Sequence, residues 1–316
     1  MRILFAGSPA IAFPSLETLC MTEGIEMVGV LTNPDSPKGR SGAPRPTEIG
    51  EAAAKISEQG RAAFPVLKPQ KLDAETREQV SALKPDLLVS FAYGRIFGPK
   101  FLALFQLGGI NVHPSLLPKY RGPTPIQAAI INREKITGIT VQKLAPEMDS
   151  GDILAQEQLQ LSGRETADTL GAVMAQKAAE MLPAALRKIA EGKVSGTPQN
   201  HNEASYCSLI AREDGLINWN KSAEELEAMI RAYNPWPLCR TVHNGRELFL
   251  LEATAAGSAK NDTPGQVLGI DKQAGILVQT GEGVLTVTKL QYQGKKVLEW
   301  RSFLNGARDF TGSRLG

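Results

Sequence analysis

Cysteine, histidine and long apolar runs are scarce in this chain of 316 residues. Its three cysteines, Cys20, Cys207 and Cys239, are odd in number and far apart, which excludes a disulfide framework and a Cys-x-x-Cys metal site. Free thiols, buried or half-exposed, in a reducing cytoplasm are the simplest reading. With only His113, His201 and His243 and no HExxH, a metal centre is not expected. No stretch approaches the ~18–20 apolar residues that a membrane span requires, so no membrane partner is expected. The opening MRILFAGSPAIAF is too short for a secretory signal and has Arg2 as its one basic residue. It reads as a buried strand running into a helix. A surplus of one charge is missing too: 35 Lys+Arg stand against 33 Asp+Glu, which excludes a uniform polycation. What remains, with 42% hydrophobic residues, is an ordinary globular composition long enough for two domains.

The first half alternates strand-like and helix-like segments. Strands are expected at Arg2–Gly7, Ile25–Thr32, Phe64–Leu67, Asp86–Phe91 and Gly109–His113, and two more at Gly138–Leu144 and Ile153–Leu161. Helices are expected at Pro9–Cys20, Thr47–Gln59 with Thr47 as N-cap, Asp73–Leu83, Thr124–Arg133 and Thr166–Glu191. This repetition predicts an α/β fold with a doubly wound, mostly parallel sheet over residues 1–192, its function carried by loops at the carboxyl ends of the strands. The polar, aperiodic stretch 193–208 reads as a linker. From 209 to 316 the pattern changes to a capped helix at Ser222–Tyr233 and about five short strands. These predict a small β-barrel of oligonucleotide-binding (OB) type.

Nucleotide-cofactor motifs fail. After the first strand comes Gly7-Ser8-Pro9-Ala10, with a proline where a GxGxxG loop needs glycine. No GxxxxGK[ST] loop exists either. An NAD-dependent dehydrogenase is therefore disfavoured.

The informative stretch is GINVHPSLLPKYRGPTPI, Gly109 to Ile126. Asn111 and His113 are two apart on a predicted strand, so both point to one side of the sheet. On their own they could be a structural histidine and a turn-holding asparagine. The acidic turn MDSGD, with Asp149 and Asp152 flanking Gly151, brings a carboxylate to the same edge. An amide can donate to a developing oxyanion, a histidine can move a proton near neutral pH, and an aspartate can orient it. Neither a serine nor a cysteine nucleophile is evidently placed with them, so direct transfer to the substrate's own nucleophile is expected.

Asn111-x-His113, Ser115-Leu116-Leu117-Pro118, Arg121-Gly122 and Pro125-Ile126-Gln127 together resemble the signature of the 10-formyltetrahydrofolate-dependent formyltransferases. Asp149-Ser150-Gly151-Asp152-Ile153-Leu154 resembles that family's D-x-G-D-hydrophobic motif. RILFAGSP, NPDSPKGR, AYGRIF and RAYNPWP extend the likeness over nearly the whole chain. The resemblance implies Asn111, His113 and Asp149 as catalytic residues and 10-formyltetrahydrofolate as co-substrate. Initiator methionyl-tRNA is the implied partner, its methionine α-amino group attacking the formyl carbon. It implies folate binding by Ser115, Leu116, Leu117 and Pro118, with Phe91, Ala92, Tyr93 and Gly94 walling the pteridine slot. It implies tRNA contacts from Lys38, Arg40 and Arg45. That last loop is also where the chain departs from the family, with Ser41-Gly42-Ala43-Pro44-Arg45 in place of the usual Gly-Lys-Lys segment. Arg121 suits a phosphate contact or a loop brace, and Tyr233, Pro235, Trp236 and Pro237 suit packing of helix on barrel. His201 and His243 read as surface residues.

Glycinamide ribonucleotide formyltransferases lack a C-terminal domain of this kind. Sugar-nucleotide amine formyltransferases have less reason for a basic Pro-Gly loop, and the intact Asn/His/Asp set argues against a non-catalytic RNA-binding protein. Six basic residues between Arg95 and Lys135 against Glu134 alone, and six from Lys289 onward against Glu299 and Asp309, suit a folded RNA substrate. A monomer is expected, since no long apolar helix face asks for a partner.

Overall fold

A seven-stranded sheet organises the first half of the chain in the computed structural model, which describes every residue except 38–41, 61, 194 and 258–261. Two units are distinguished. The first comprises Met1–Pro125, Ile136–Gln160 and Gly171–Cys207; the second comprises Ile126–Lys135, Leu161–Leu170 and Ser208–Gly316.

The sheet strands of the first unit are β1 (Arg2–Ala6), β2 (Glu26–Leu31), β5 (Val66–Leu67), β6 (Leu87–Phe91), β7 (Gly109–His113), β8 (Ile136–Lys143) and β9 (Ile153–Gln160). Two further short strands, β3 (Ser36–Pro37) and β4 (Pro44–Arg45), form a separate ribbon. The order is β5-β2-β1-β6-β7-β8-β9. The pairs from β5 to β7 are parallel, whereas β8 is antiparallel to both β7 and β9. Covered on both faces, the central strands read as unbroken apolar runs: Ile3 to Ala6 and Leu87 to Phe91 are all buried. The order turns back at β1, between β2 and β6, and this is where ligands of open α/β sheets collect.

The helices are α1 (Phe13–Met21), α2 (Glu48–Glu58), α3 (Ala74–Ala82), α4 (Pro99–Leu102), α5 (Pro125–Ile131) and α6 (Ala167–Ala190). Thr47 caps α2 as expected, its Oγ1 accepting from Gly50 N at 3.0 Å. Asp73 caps α3 by accepting from Thr76 N at 3.1 Å. The strand expected from Phe64 shrinks to Val66–Leu67 because Pro65 has no N–H to give a ladder. Tyr93, Phe97, Phe101 and Phe105 form a ladder of rings 5.3 to 5.7 Å apart, buried against Leu4, Leu31, Val80 and Leu88.

The stretch read as a linker is packed against the first unit up to Cys207. Ile153 and Thr197 exchange backbone hydrogen bonds, and Arg121 and Tyr206 form a parallel bridge. Most of its described side chains are exposed, but Gln199 is buried.

In the second unit, α7 (Ala223–Ala232) is opened by the expected capping box, Ser222 Oγ accepting from Glu225 N and Glu225 Oε2 from Ser222 N. The strands are β10 (Cys239–His243), β11 (Arg246–Ala256), β12 (Val267–Asp271), β13 (Gly275–Gln279), β14 (Val284–Tyr292) and β15 (Leu298–Glu299), followed by α8 (Trp300–Gly306). They form one antiparallel sheet in the order β10-β11-β14-β13-β12, with β15 added on β14. Alternation buries Leu248, Leu250, Ile276, Val278, Leu285 and Val287. His243 is not a surface residue. It is buried at the end of β10, its Nδ1 2.6 Å from the Tyr292 hydroxyl and its ring edge-on to Phe310. Trp236 is 56% exposed and does not join Tyr233 in packing the helix.

Candidate active site

β7 ends at His113, and β8 returns beside it. Asn111 pairs with Gln142 and His113 with Thr140, so these four side chains share one face of the sheet. The turn between β8 and β9 adds Asp149, whose backbone is left-handed at φ 52°. Gly151 lets this turn lie on β8, because a Cβ there would stand 1.9 Å from the Lys143 carbonyl oxygen. The glycine of MDSGD is thus required for space. Asp152, the other acid of the motif, turns away and pairs with Lys143 at 3.1 Å.

Three N–H donors meet on the Asp149 carboxylate. Gly122 N donates to Oδ2 at 2.8 Å; Gln142 Nε2 and Asn111 Nδ2 donate to Oδ1 at 2.9 and 3.5 Å. His113 Nδ1 faces Oδ2 at 3.6 Å. Its Nε2 lies 2.8 Å from the Tyr120 carbonyl oxygen. A carbonyl only accepts, so Nε2 carries a proton and the neutral ring leaves Nδ1 bare. The His113 side chain is 5% exposed. Burial pushes its pKa below the ordinary 6.5, opposed by the Asp149 charge and the bond to Tyr120. A bare imidazole nitrogen and a carboxylate oxygen therefore face one another across a gap too wide for a direct hydrogen bond. A proton brought between them is held by both.

Among the described residues, neither Ser115 nor Cys207 is set up as a nucleophile. Ser115 is fully buried and its Oγ donates to Lys119 O at 2.6 Å. Burial pushes the Cys207 thiol up, away from thiolate. The arrangement suits a neutral amine adding to a carbonyl, with an amide donor at Asn111 and a proton acceptor at His113 and Asp149.

The loop after β7 is stiff. Thr140 Oγ1 donates to Ser115 O at 2.7 Å and accepts from Leu117 N at 3.3 Å, while Gln156 Nε2 donates to Leu117 O at 3.0 Å. Ser115 and Leu117 are buried, leaving Leu116 and Pro118 half-buried. At the end of β6 the expected apolar wall is different in kind. The rings of Phe91 and Tyr93 are buried, Tyr93 stacking on Phe97, so Ala92 and Gly94 alone are exposed. Asn33 Nδ2 holds this corner by donating to Tyr93 O at 2.9 Å.

Arg121 is a brace. It is 1% exposed, and its Nε and Nη2 donate to Gln199 Oε1 at 3.1 and 2.7 Å while Nη1 donates to the Tyr206 hydroxyl at 3.2 Å. Lys38 and Arg40 lie outside the described residues; Arg45 is exposed on β4 opposite Ser36. The basic windows are partly spent internally. Besides Arg121, Arg133 pairs with Glu224, and Lys289 with Glu252 and Glu299. Sequence reasoning missed Gln142, Gln199, the Gly122 N–H and the Tyr120 carbonyl. Only Gln142 carried a signal, and that signal needed the antiparallel register of β8.

The fold is that of an α/β enzyme, and the site suits transfer of an acyl-type group to an amine. The chain belongs to the formyl transferase family: residues 1–186 match its model, and residues 209–308 match the model described as "Formyl transferase, C-terminal domain". Among similar proteins, the methionyl-tRNA formyltransferase of Treponema denticola is 46% identical, covering 98% of each chain. That of Borrelia duttonii is 40% identical over 99% of each. The same fold occurs in an N-formyltransferase from Helicobacter canadensis solved with folinic acid and dTDP-3-aminofucose. Its TM-score is 0.65 at 19% identity, over 91% of this chain and 98% of that one.

Proposed function

We propose that this chain transfers the formyl group of 10-formyltetrahydrofolate to the α-amino group of methionine on initiator tRNA, giving N-formylmethionyl-tRNA for translation initiation. The observation that carries the reading is the convergence of Asn111, bare His113 Nδ1 and Asp149, in a chain similar over its full length to methionyl-tRNA formyltransferases. Reading and geometry agree on direct transfer: the amine is the nucleophile, and the protein supplies a donor, an acceptor and a rigid frame.

In this reading the Asn111 amide donates to the formyl oxygen as it gains charge. His113 Nδ1, neutral because it is buried, takes the proton that the attacking nitrogen loses, and Asp149 shares it; the bond from the formyl carbon to N10 then breaks as N10 takes that proton, releasing tetrahydrofolate. The Tyr120 carbonyl fixes the tautomer throughout. The folate is held at the end of β6 by the backbone of Ala92 and Gly94, and along the 115–118 loop by Leu116 and Pro118. A flat ring with polar edges suits such a wall of peptide groups and small apolar surface. Arg45 serves tRNA contact, with Lys38 and Arg40 assigned by sequence alone. Residues 1–192 form the catalytic domain and 209–316 an RNA-binding one. The chain works in the cytoplasm as a monomer.

The test is formyl transfer from 10-formyltetrahydrofolate to initiator methionyl-tRNA, with elongator methionyl-tRNA and an amino-sugar nucleotide as competing acceptors. Strong preference for the initiator species is expected. Transfer to the sugar nucleotide alone would overturn the reading.

A further inference from the structure

We propose that Gln199 is a positioning residue of this site: its side-chain amide ties the Asp149–Gly151 turn to Arg121 and so holds the Asp149 carboxylate opposite His113. The inference rests on the reading that Asp149 and His113 accept the amine proton.

The amide is used at both ends. Nε2 donates to the carbonyl oxygens of Asp149 and Gly151, each at 2.8 Å, and a longer contact of 3.3 Å reaches Gln142 Oε1. Oε1 accepts from Arg121 Nε and Nη2. Gln199 is 6% exposed, so water is no ready substitute for any of these partners. Asp149 needs such a hold because its left-handed backbone is one that a non-glycine residue keeps only when its surroundings impose it.

The connections close into a ring. Asp149 O is bonded to Gln199; Gln199 is bonded to Arg121; the peptide after Arg121 presents Gly122 N, which donates to Asp149 Oδ2 at 2.8 Å. One amide thus sets both the carbonyl of Asp149 and the loop that grips its carboxylate. The Arg121 backbone is itself pinned: its N donates to Ser205 O and its O accepts from Cys207 N, both at 2.8 Å. A glutamate at 199 would still accept from Arg121 but would offer no N–H to the two turn carbonyls. An amide is therefore required, not merely a polar side chain of that length.

The experiment compares Gln199→Glu with Asp149→Asn and the parent chain in formyl transfer to initiator methionyl-tRNA. Circular dichroism melting is run alongside. For Gln199→Glu, kcat is expected to fall about 10- to 100-fold, the scale of an ångström's misplacement of a reacting group. The KM for 10-formyltetrahydrofolate should move by no more than about twofold, because no folate-facing residue is touched. The acid limb of the kcat profile, read in Gln199→Met because that variant brings no new charge beside the site, should shift to lower pH, because a retreating Asp149 no longer raises the His113 pKa. A merely structural role would lower the melting temperature and leave the profile of the folded enzyme unmoved. Parent-like kcat in Gln199→Glu and a parent-like pH profile in Gln199→Met, with Asp149→Asn inactive, overturns this inference alone. Activity retained in both variants overturns the site reading beneath it. Should Gln199→Glu not fold, Gln199→Met, of equal length and without donors, is judged by kcat and KM as well.

Discussion

Replacing Asp149 by asparagine changes one oxygen into an NH2 group, and the site has no place for it. Oδ1 now accepts from Gln142 and Asn111, and Oδ2 accepts from Gly122 N. Whichever way the new amide is turned, an N–H points at a donor. Facing Oδ1, it meets Gln142 Nε2, which can invert only by losing its own acceptor contact with Gln199. Facing Oδ2, it meets the Gly122 N–H, which cannot rotate at all, and its other N–H can only turn to the bare His113 Nδ1 3.6 Å away and so occupy the proton acceptor. Leaving one such buried donor unsatisfied costs about 1–3 kcal/mol, so the variant is expected to melt earlier but to fold. The chemical loss is larger. Without the carboxylate the proton gap between Nδ1 and Oδ2 has one acceptor instead of two. General-base catalysis is worth ~10²–10⁴ in rate, and a 10³-fold fall corresponds to about 4 kcal/mol of barrier.

The pH dependence tests the same geometry with a definite sign. Asp149 raises the His113 pKa, while burial, the larger effect, lowers it. Removing the charge leaves burial unopposed, so the pKa falls further. Any residual activity that requires neutral His113 must then persist to more acidic pH than in the parent enzyme. The assay is single-turnover formyl transfer between about pH 5 and 8, with folding checked by circular dichroism. A folded variant that keeps more than about a tenth of the parent rate, with an unshifted acid limb, refutes the coupling of Asp149 to His113.

Three shorter tests address other parts of the site. Asn111→Ala should lower kcat by on the order of 10² or more while barely raising the folate KM, read by steady-state kinetics; retained kcat would remove the oxyanion role. Gly151→Ala forces a Cβ to within 1.9 Å of Lys143 O unless the turn lifts, so a rate loss of about 10² is expected with the folate KM preserved. A parent-like rate there would mean that Asp149 does not depend on the turn. Cys239 is 1% exposed, and burial pushes its thiol up to about 12. Native-state labelling at pH 8 should therefore reach at most Cys20 and Cys207, the third thiol reacting only after denaturation; rapid reaction of all three would contradict the packing of β10.

The strands were legible where burial on both faces makes their sequence apolar throughout. Helix starts were legible where the capping chemistry is local, at Thr47 and Ser222. What could not be read has a physical pattern. His243 stands at a polar hairpin turn, directly before Asn244-Gly245-Arg246-Glu247, and its burial depends on Tyr292 and Phe310, which are 49 and 67 positions away. Tyr93 looked like a slot-lining aromatic, but its direction is set by the stack on Phe97 and not by its neighbours in the chain. Stretch 193–208 lacked periodicity, so it read as a connector; the bonds that tie Thr197, Gln199, Ser205 and Cys207 to the first unit are long-range and single, and leave no periodic trace.

The reacting groups show the same division more sharply. Strand alternation places Asn111 and His113 on one side, and that inference needs five residues. Gln142 joins them only because β8 runs antiparallel to β7, which puts it opposite Asn111. That antiparallel pairing also sets Thr140 opposite His113. It also explains the proline-stiffened loop from 114 to 118: Thr140, on that same returning strand, holds it by one donated and one accepted hydrogen bond. Both halves of the site hang from β8, a strand that contributes no reacting group. A substitution on β8 that slips its register by one residue would turn Gln142 and Thr140 to the opposite face and release Asp149 and the 115–118 loop together.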